Sequence, residues 1–130
     1  MKNIFSLIVL PLLILGCQNS ITSVNPEIGK TFKINLGQTL EFQGADLRVT
    51  FEELLEDSRC PEGVTCVWAG NGRVSIKLNE LQAELNTYLD PKSIDLSGYE
   101  IELLSLAPYP NINNEIEQEE YILEMMVTEK

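Results

Sequence analysis

Few side chains in this chain are equipped for chemistry. There are three cysteines, one tryptophan and no histidine, and 20 Asp and Glu face 9 Lys and Arg. Without histidine, Ser-His-Asp and Cys-His nucleophiles, His-bound zinc and a histidine pH switch are excluded. No serine has a lysine three positions on, so a Ser-Lys nucleophile lacks support too. Glu52, Glu53, Glu56 and Asp57 stand close together, and paired carboxylates can exchange protons or hold calcium. No D-x-D-x-D-G loop accompanies them, and acids this abundant cluster by chance. They read as a solvated face that keeps the chain soluble. A net charge of -11 repels nucleic-acid phosphates and excludes DNA and RNA as partners. The expectation is a protein without catalytic residues, metal or cofactor.

Cys17 carries a different chemistry. Lys2 gives a positive start, residues 4–15 are apolar except Ser6 and Pro11, and Gly16-Cys17 follows at once. A basic start, a short apolar run and a small residue at the cut describe a secretory signal. The run falls short of the ~20 residues that span a bilayer. Gly16-Cys17 resembles the bacterial lipobox, which implies diacylglycerol (palmitate-type) acylation of Cys17 and cleavage before it. Ile14 departs mildly from the usual leucine. At ~0.8 kcal/mol per buried CH2, two or three acyl chains hold a protein on a membrane without a spanning helix. The expected organisation is a signal peptide at 1–16, lipidated Cys17 with a flexible tether at 17–27, and one domain at 28–130. Gln18 in place of Asp resembles an outer-membrane sorting choice. The expected location is therefore the cell envelope: the outer membrane of a Gram-negative cell, otherwise the outer face of the plasma membrane.

Cys60 and Cys66 remain. Export places them in an oxidising compartment, and Pro61 and Gly63 let so short a loop close. A structural disulfide is expected, stabilising by ~2 kcal/mol on the loop-entropy estimate. Redox pairs usually have two intervening residues at a helix start; five residues intervene here.

These residues need elements to position them. A chain of 130 residues is one domain's worth. Apolar residues recur every second position, the strand period, at Phe32-Ile34-Leu36, Leu40-Phe42, Leu47-Val49-Phe51, Val64-Cys66-Trp68, Val74-Ile76-Leu78, Leu81-Ala83-Leu85, Tyr99-Ile101-Leu103 and Tyr121-Leu123-Met125-Val127. Gly37, Gly44, Pro61, Asn71-Gly72, Asp90-Pro91 and Ser97-Gly98 separate them. About eight short strands predict an all-β antiparallel sandwich or barrel. Phe51, Leu54 and Leu55 have helical spacing, which leaves a short helix there as the alternative. Residues 111–120 read as an exposed acidic loop.

The stretch Asp57-Ser58-Arg59-Cys60-Pro61, four residues, then Cys66-Val67-Trp68-Ala69-Gly70 is distinctive. It resembles a family of small bacterial lipoprotein or secreted domains with D-S-R-C-P and C-x-W-A-G, all-β and of uncharacterised function. Physically, Asp57 can pair with Arg59 or accept loop N–H groups, and Arg59 can stack on Trp68. Asp57, Arg59 and Trp68 are thus the candidate binding residues. If Asn71-Gly72 forms a tight hairpin, Trp68 shares the face of Val74, Ile76 and Leu78. It is then buried, and its loss costs ~3 to 5 kcal/mol. The sequence thus predicts a non-catalytic envelope lipoprotein with a binding or structural role. The alternative is a ligand-binding or inhibitor-type module that engages an envelope protein through exposed loops.

Overall fold

The computed structural model describes residues 25–130. The expected signal segment, Cys17 and the expected tether up to residue 24 lie outside the described residues. Eight strands run in chain order: β1 Thr31–Asn35, β2 Thr39–Glu41, β3 Arg48–Asp57, β4 Gly72–Leu78, β5 Leu81–Asn86, β6 Ser93–Leu96, β7 Tyr99–Ala107 and β8 Ile122–Glu129. They form two antiparallel four-stranded sheets, ordered β1-β8-β7-β6 and β2-β3-β4-β5. Of the sandwich and the barrel that the sequence predicts, the architecture is the sandwich.

Alternation along each strand sends every second side chain inward. Ile34, Val49, Phe51, Val74, Ile76, Leu78, Leu85, Ile101, Leu123, Met125 and Val127 are completely buried between the sheets. Phe32 and Phe42 close one end edge to face, with centroids 5.2 Å apart. Ser97 and Gly98 both adopt positive φ in the two-residue β6–β7 turn, the conformation that matches the right-handed twist of the strands.

The helical spacing at Phe51 and Leu54 has a different origin. β3 continues through it, but the register with β4 slips between Phe51 and Glu53 and again between Leu54 and Glu56. Each bulge inserts an unpaired residue and resets the alternation. Phe51 and Leu54 both reach the core, three positions apart, without a helix. β7 has a similar slip between Leu103 and Ser105. It turns Leu103 and Leu106 inward and leaves Leu104 exposed.

Two expectations need correction. Residues 64–68 are not a strand, and Asn71-Gly72 is not a hairpin turn; β3 and β4 are joined by an irregular loop over 58–71. In place of that strand the sandwich has β6, whose S-I-D-L sequence is too short and polar for a periodic signal. Asn71 is buried because its side chain organises the backbone. Its Nδ2 donates to Asn86 Oδ1 at 2.8 Å, and its Oδ1 accepts from the Tyr88 and Leu89 N–H groups at 3.1 and 3.2 Å. Gly72 exchanges bonds with Thr87, which ties the 87–92 connection to the start of β4.

Asn71→Ala leaves the part-buried Tyr88 and Leu89 N–H groups without their acceptor and the buried Asn86 Oδ1 without its donor, at about 1 kcal/mol each. The expected total is a loss of roughly 2–5 kcal/mol in denaturant unfolding, and a loss below about 0.5 kcal/mol would contradict this role.

Candidate functional site

Asp57 ends β3, and the chain turns into the 58–71 loop with Arg59 pointing inward. Arg59 is only 7% exposed, so its charge has to be matched locally. Its Nε and Nη2 donate to the two oxygens of Asp57, each at 2.7 Å, a two-pronged pair. Nη1 donates to the Leu106 carbonyl at 2.5 Å and Nη2 to the Pro108 carbonyl at 2.9 Å. The Tyr121 hydroxyl donates to Asp57 Oδ2 at 2.9 Å. The Arg59 guanidinium lies 5.1 Å from the Tyr109 ring centre. The expected Asp57–Arg59 pairing is thus present, and Arg59 meets Tyr109 where stacking on Trp68 was expected.

Burial works to raise the Asp57 carboxyl, but the Arg59 and Tyr121 bonds and the Arg59 charge outweigh it and hold it below its ordinary value. Burial, aided by the bond to ionised Asp57 and its charge, pushes the Tyr121 phenol up to about 12. Asp57 contributes stability above its unfolded value near pH ~4, lost as pH falls through its lowered folded value. The Tyr121 contribution is complete below pH ~10 and is lost as pH rises towards its folded value.

The loop closes above this pair. Ser58 N–H donates to the Asn71 carbonyl at 2.8 Å, and Cys60 N–H to the Ala69 carbonyl at 2.9 Å. Gly70 has φ +73°, and a Cβ there would stand 1.8 Å from the Ser58 oxygen. Only glycine fits such an approach. The Cys60–Cys66 disulfide closes the tip, with its Cα atoms 5.9 Å apart. Glu62 N–H donates to the Pro110 carbonyl at 2.9 Å, which fastens the loop to the β7–β8 connection.

Trp68 is 50% exposed, which overturns the expectation of burial. The ladder between the two arms of the loop stops at Cys60 and Ala69, so strand alternation does not extend to Trp68. The inward position is already taken by Arg59. Trp68 instead meets Tyr88 edge to face, with centroids 6.4 Å apart. Val67, Leu89, Tyr109 and Ile112 are exposed on the same loops or the connections they touch. A groove of about 250 Å³ runs between Tyr88, Leu104 and Tyr109, with Gly70 and Arg59 in its wall. Sequence reasoning missed Tyr88, Leu104, Tyr109 and Tyr121. The available sign was aromatic side chains in turn-rich connections, where burial is not expected.

The acids do not converge. Glu52 accepts bonds from Ser75 and Gln82, Glu56 from Ser58, and Asp57 from Arg59 and Tyr121. Among the described residues, no group of three or more acids or cysteines is placed to hold a metal. Compared with protein families, curated proteins and solved structures, the chain matches none of them.

Arg59→Met leaves Asp57 buried without its cation and is expected to cost roughly 3–5 kcal/mol in urea unfolding. In alkaline titration, one of the four tyrosines should ionise near pH 12, and Tyr121→Phe should remove that step. A cost under about 1 kcal/mol, or four tyrosines titrating together, would contradict the buried pair.

Proposed function

We propose that this chain is a cell-envelope lipoprotein, anchored through acylated Cys17, whose β domain is a non-catalytic binding module for an envelope partner. The observation that carries the binding reading is Trp68. It stands half in water against Tyr88, on a loop held by a disulfide and by the buried Asp57–Arg59 pair. Immobilised aromatics lose little entropy on contact and supply large contact areas, which is why they dominate binding hot spots. Solvent exposure of so much aromatic surface is hard to account for in a purely structural end of a sandwich. The absence of histidine and the separate engagement of Glu52, Glu56 and Asp57 support a role without catalysis.

The test uses protein isolated from membranes of the producing cell. Intact mass is expected to match a chain that begins at an acylated Cys17. Crosslinking in intact cells is expected to join the wild-type domain to a defined partner. The Trp68→Ala, Tyr88→Ala double variant should fold and lose that product, because both side chains are largely outside the core. An unmodified Cys17 contradicts the anchor, and identical crosslinks from wild type and variant contradict the binding surface.

A further inference from the structure

β6 is shorter than its neighbour. It pairs with β7 only over residues 99–102, and the last contact on that side is Leu103 N–H to the Lys92 carbonyl at 2.8 Å. Beyond it, no strand among the described residues flanks residues 104–107 of β7 on the side away from β8. The Leu106 backbone faces that side, where Arg59 Nη1 takes its carbonyl. The groove beside Tyr88, Leu104 and Tyr109 lies along this uncovered edge. We propose, resting on the binding reading above, that the groove takes an extended cationic segment of a partner polypeptide, laid along the edge of β7 where β6 stops.

Three features favour that occupant. A β edge that no strand flanks offers another extended chain the main-chain groups that Arg59, which holds the Leu106 and Pro108 carbonyls, leaves free, with pockets for alternate side chains. Leu104 and the exposed rings of Tyr88 and Tyr109 supply apolar walls, with Trp68 against Tyr88 beyond the groove, and aromatic faces attract cations. The one charged residue in the groove wall, Arg59, is neutralised by Asp57. Glu124 accepts a bond at 3.3 Å from Ser105, which lines the groove. The chain as a whole carries a net charge of -11. Among the cations, Arg59 is spent on Asp57, Arg73 on Glu56 and Glu84, and Lys130 on Asp95, while Lys92 borders the edge. An anionic ligand would meet this field unfavourably. A glycan would find few free polar side chains, since Arg59 is engaged and Thr87 Oγ1 already accepts from Gly72 N–H.

The test is amide NMR on the full-length protein in detergent. The probes are two pools of peptides of about eight residues. In one, Lys or Arg alternates with Val, Leu, Tyr or Phe; in the other, Glu replaces the cations. The cationic pool is expected to shift the Leu106 amide and the Trp68 indole, less so at high salt. The acidic pool, and the variant Leu104→Lys with the cationic pool, should bind at least about ten-fold more weakly. The proposal is overturned if Leu106 and Trp68 do not respond. It is equally overturned if shifts scatter over the acidic surface regardless of Leu104→Lys, or if cell-wall glycan fragments move these resonances in place of the peptides. Failure of the peptides with crosslinking still dependent on Trp68 and Tyr88 removes this inference alone; loss of both removes the binding reading with it.

Discussion

A guanidinium taken out of water must find a matching charge and acceptors for its N–H groups, or the fold does not hold. In this sandwich Arg59 finds them in both sheets. Asp57 ends β3 of one sheet, whereas the Leu106 carbonyl belongs to β7 and Tyr121 leads into β8 of the other. The ion pair thus joins the two sheets at an end where aliphatic packing gives way to loops. A pair of aliphatic residues of similar volume often packs in such a place with equal stability. It would not fix the direction in which the 58–71 loop leaves β3, because it has no preferred bonding geometry.

The rest of that end follows from this constraint. With Arg59 drawn inward, the loop can return to β4 only by passing close to Ser58, and Gly70 makes the approach possible. The disulfide shortens the free tip, and Asn71 fastens the neighbouring 87–92 connection to the same base. Side chains that the interior cannot take, Val67, Trp68 and Tyr88 among them, are left facing water on a base that hydrogen bonds hold in place. Order in the base and exposure at the rim are the two properties that a binding surface requires.

Much of the sandwich was legible in the sequence, because strands buried on one face write a period of two. Phe32-Ile34, Val74-Ile76-Leu78 and Leu123-Met125-Val127 fall in strands as their spacing implies. Bulges are not written that way: Phe51-Leu54 imitated a helix because an inserted residue shifts the pattern by one. The disulfide was legible from cysteine spacing and the Asp57–Arg59 pair from opposite charges two apart. Trp68 was not. The alternation of Val64, Cys66 and Trp68 is real in the sequence, but the disulfide between cysteines six positions apart prevents a strand from forming there. Periodicity therefore carried no information about the direction of the indole. The groove itself depends on Tyr88, Leu104 and Tyr109, which lie in three separate segments. Only the register of β6 against β7 and the path of two connections bring them together.

The central claim is that Trp68 is both exposed and immobile. As the only tryptophan, it reports on itself without interference. Time-resolved fluorescence anisotropy combined with iodide quenching on the folded protein tests both properties at once. The account predicts an indole that iodide reaches readily and that tumbles with the whole domain, with no separate fast motion. An indole shielded from iodide, or one that is accessible but reorients freely on a sub-nanosecond scale, would contradict it.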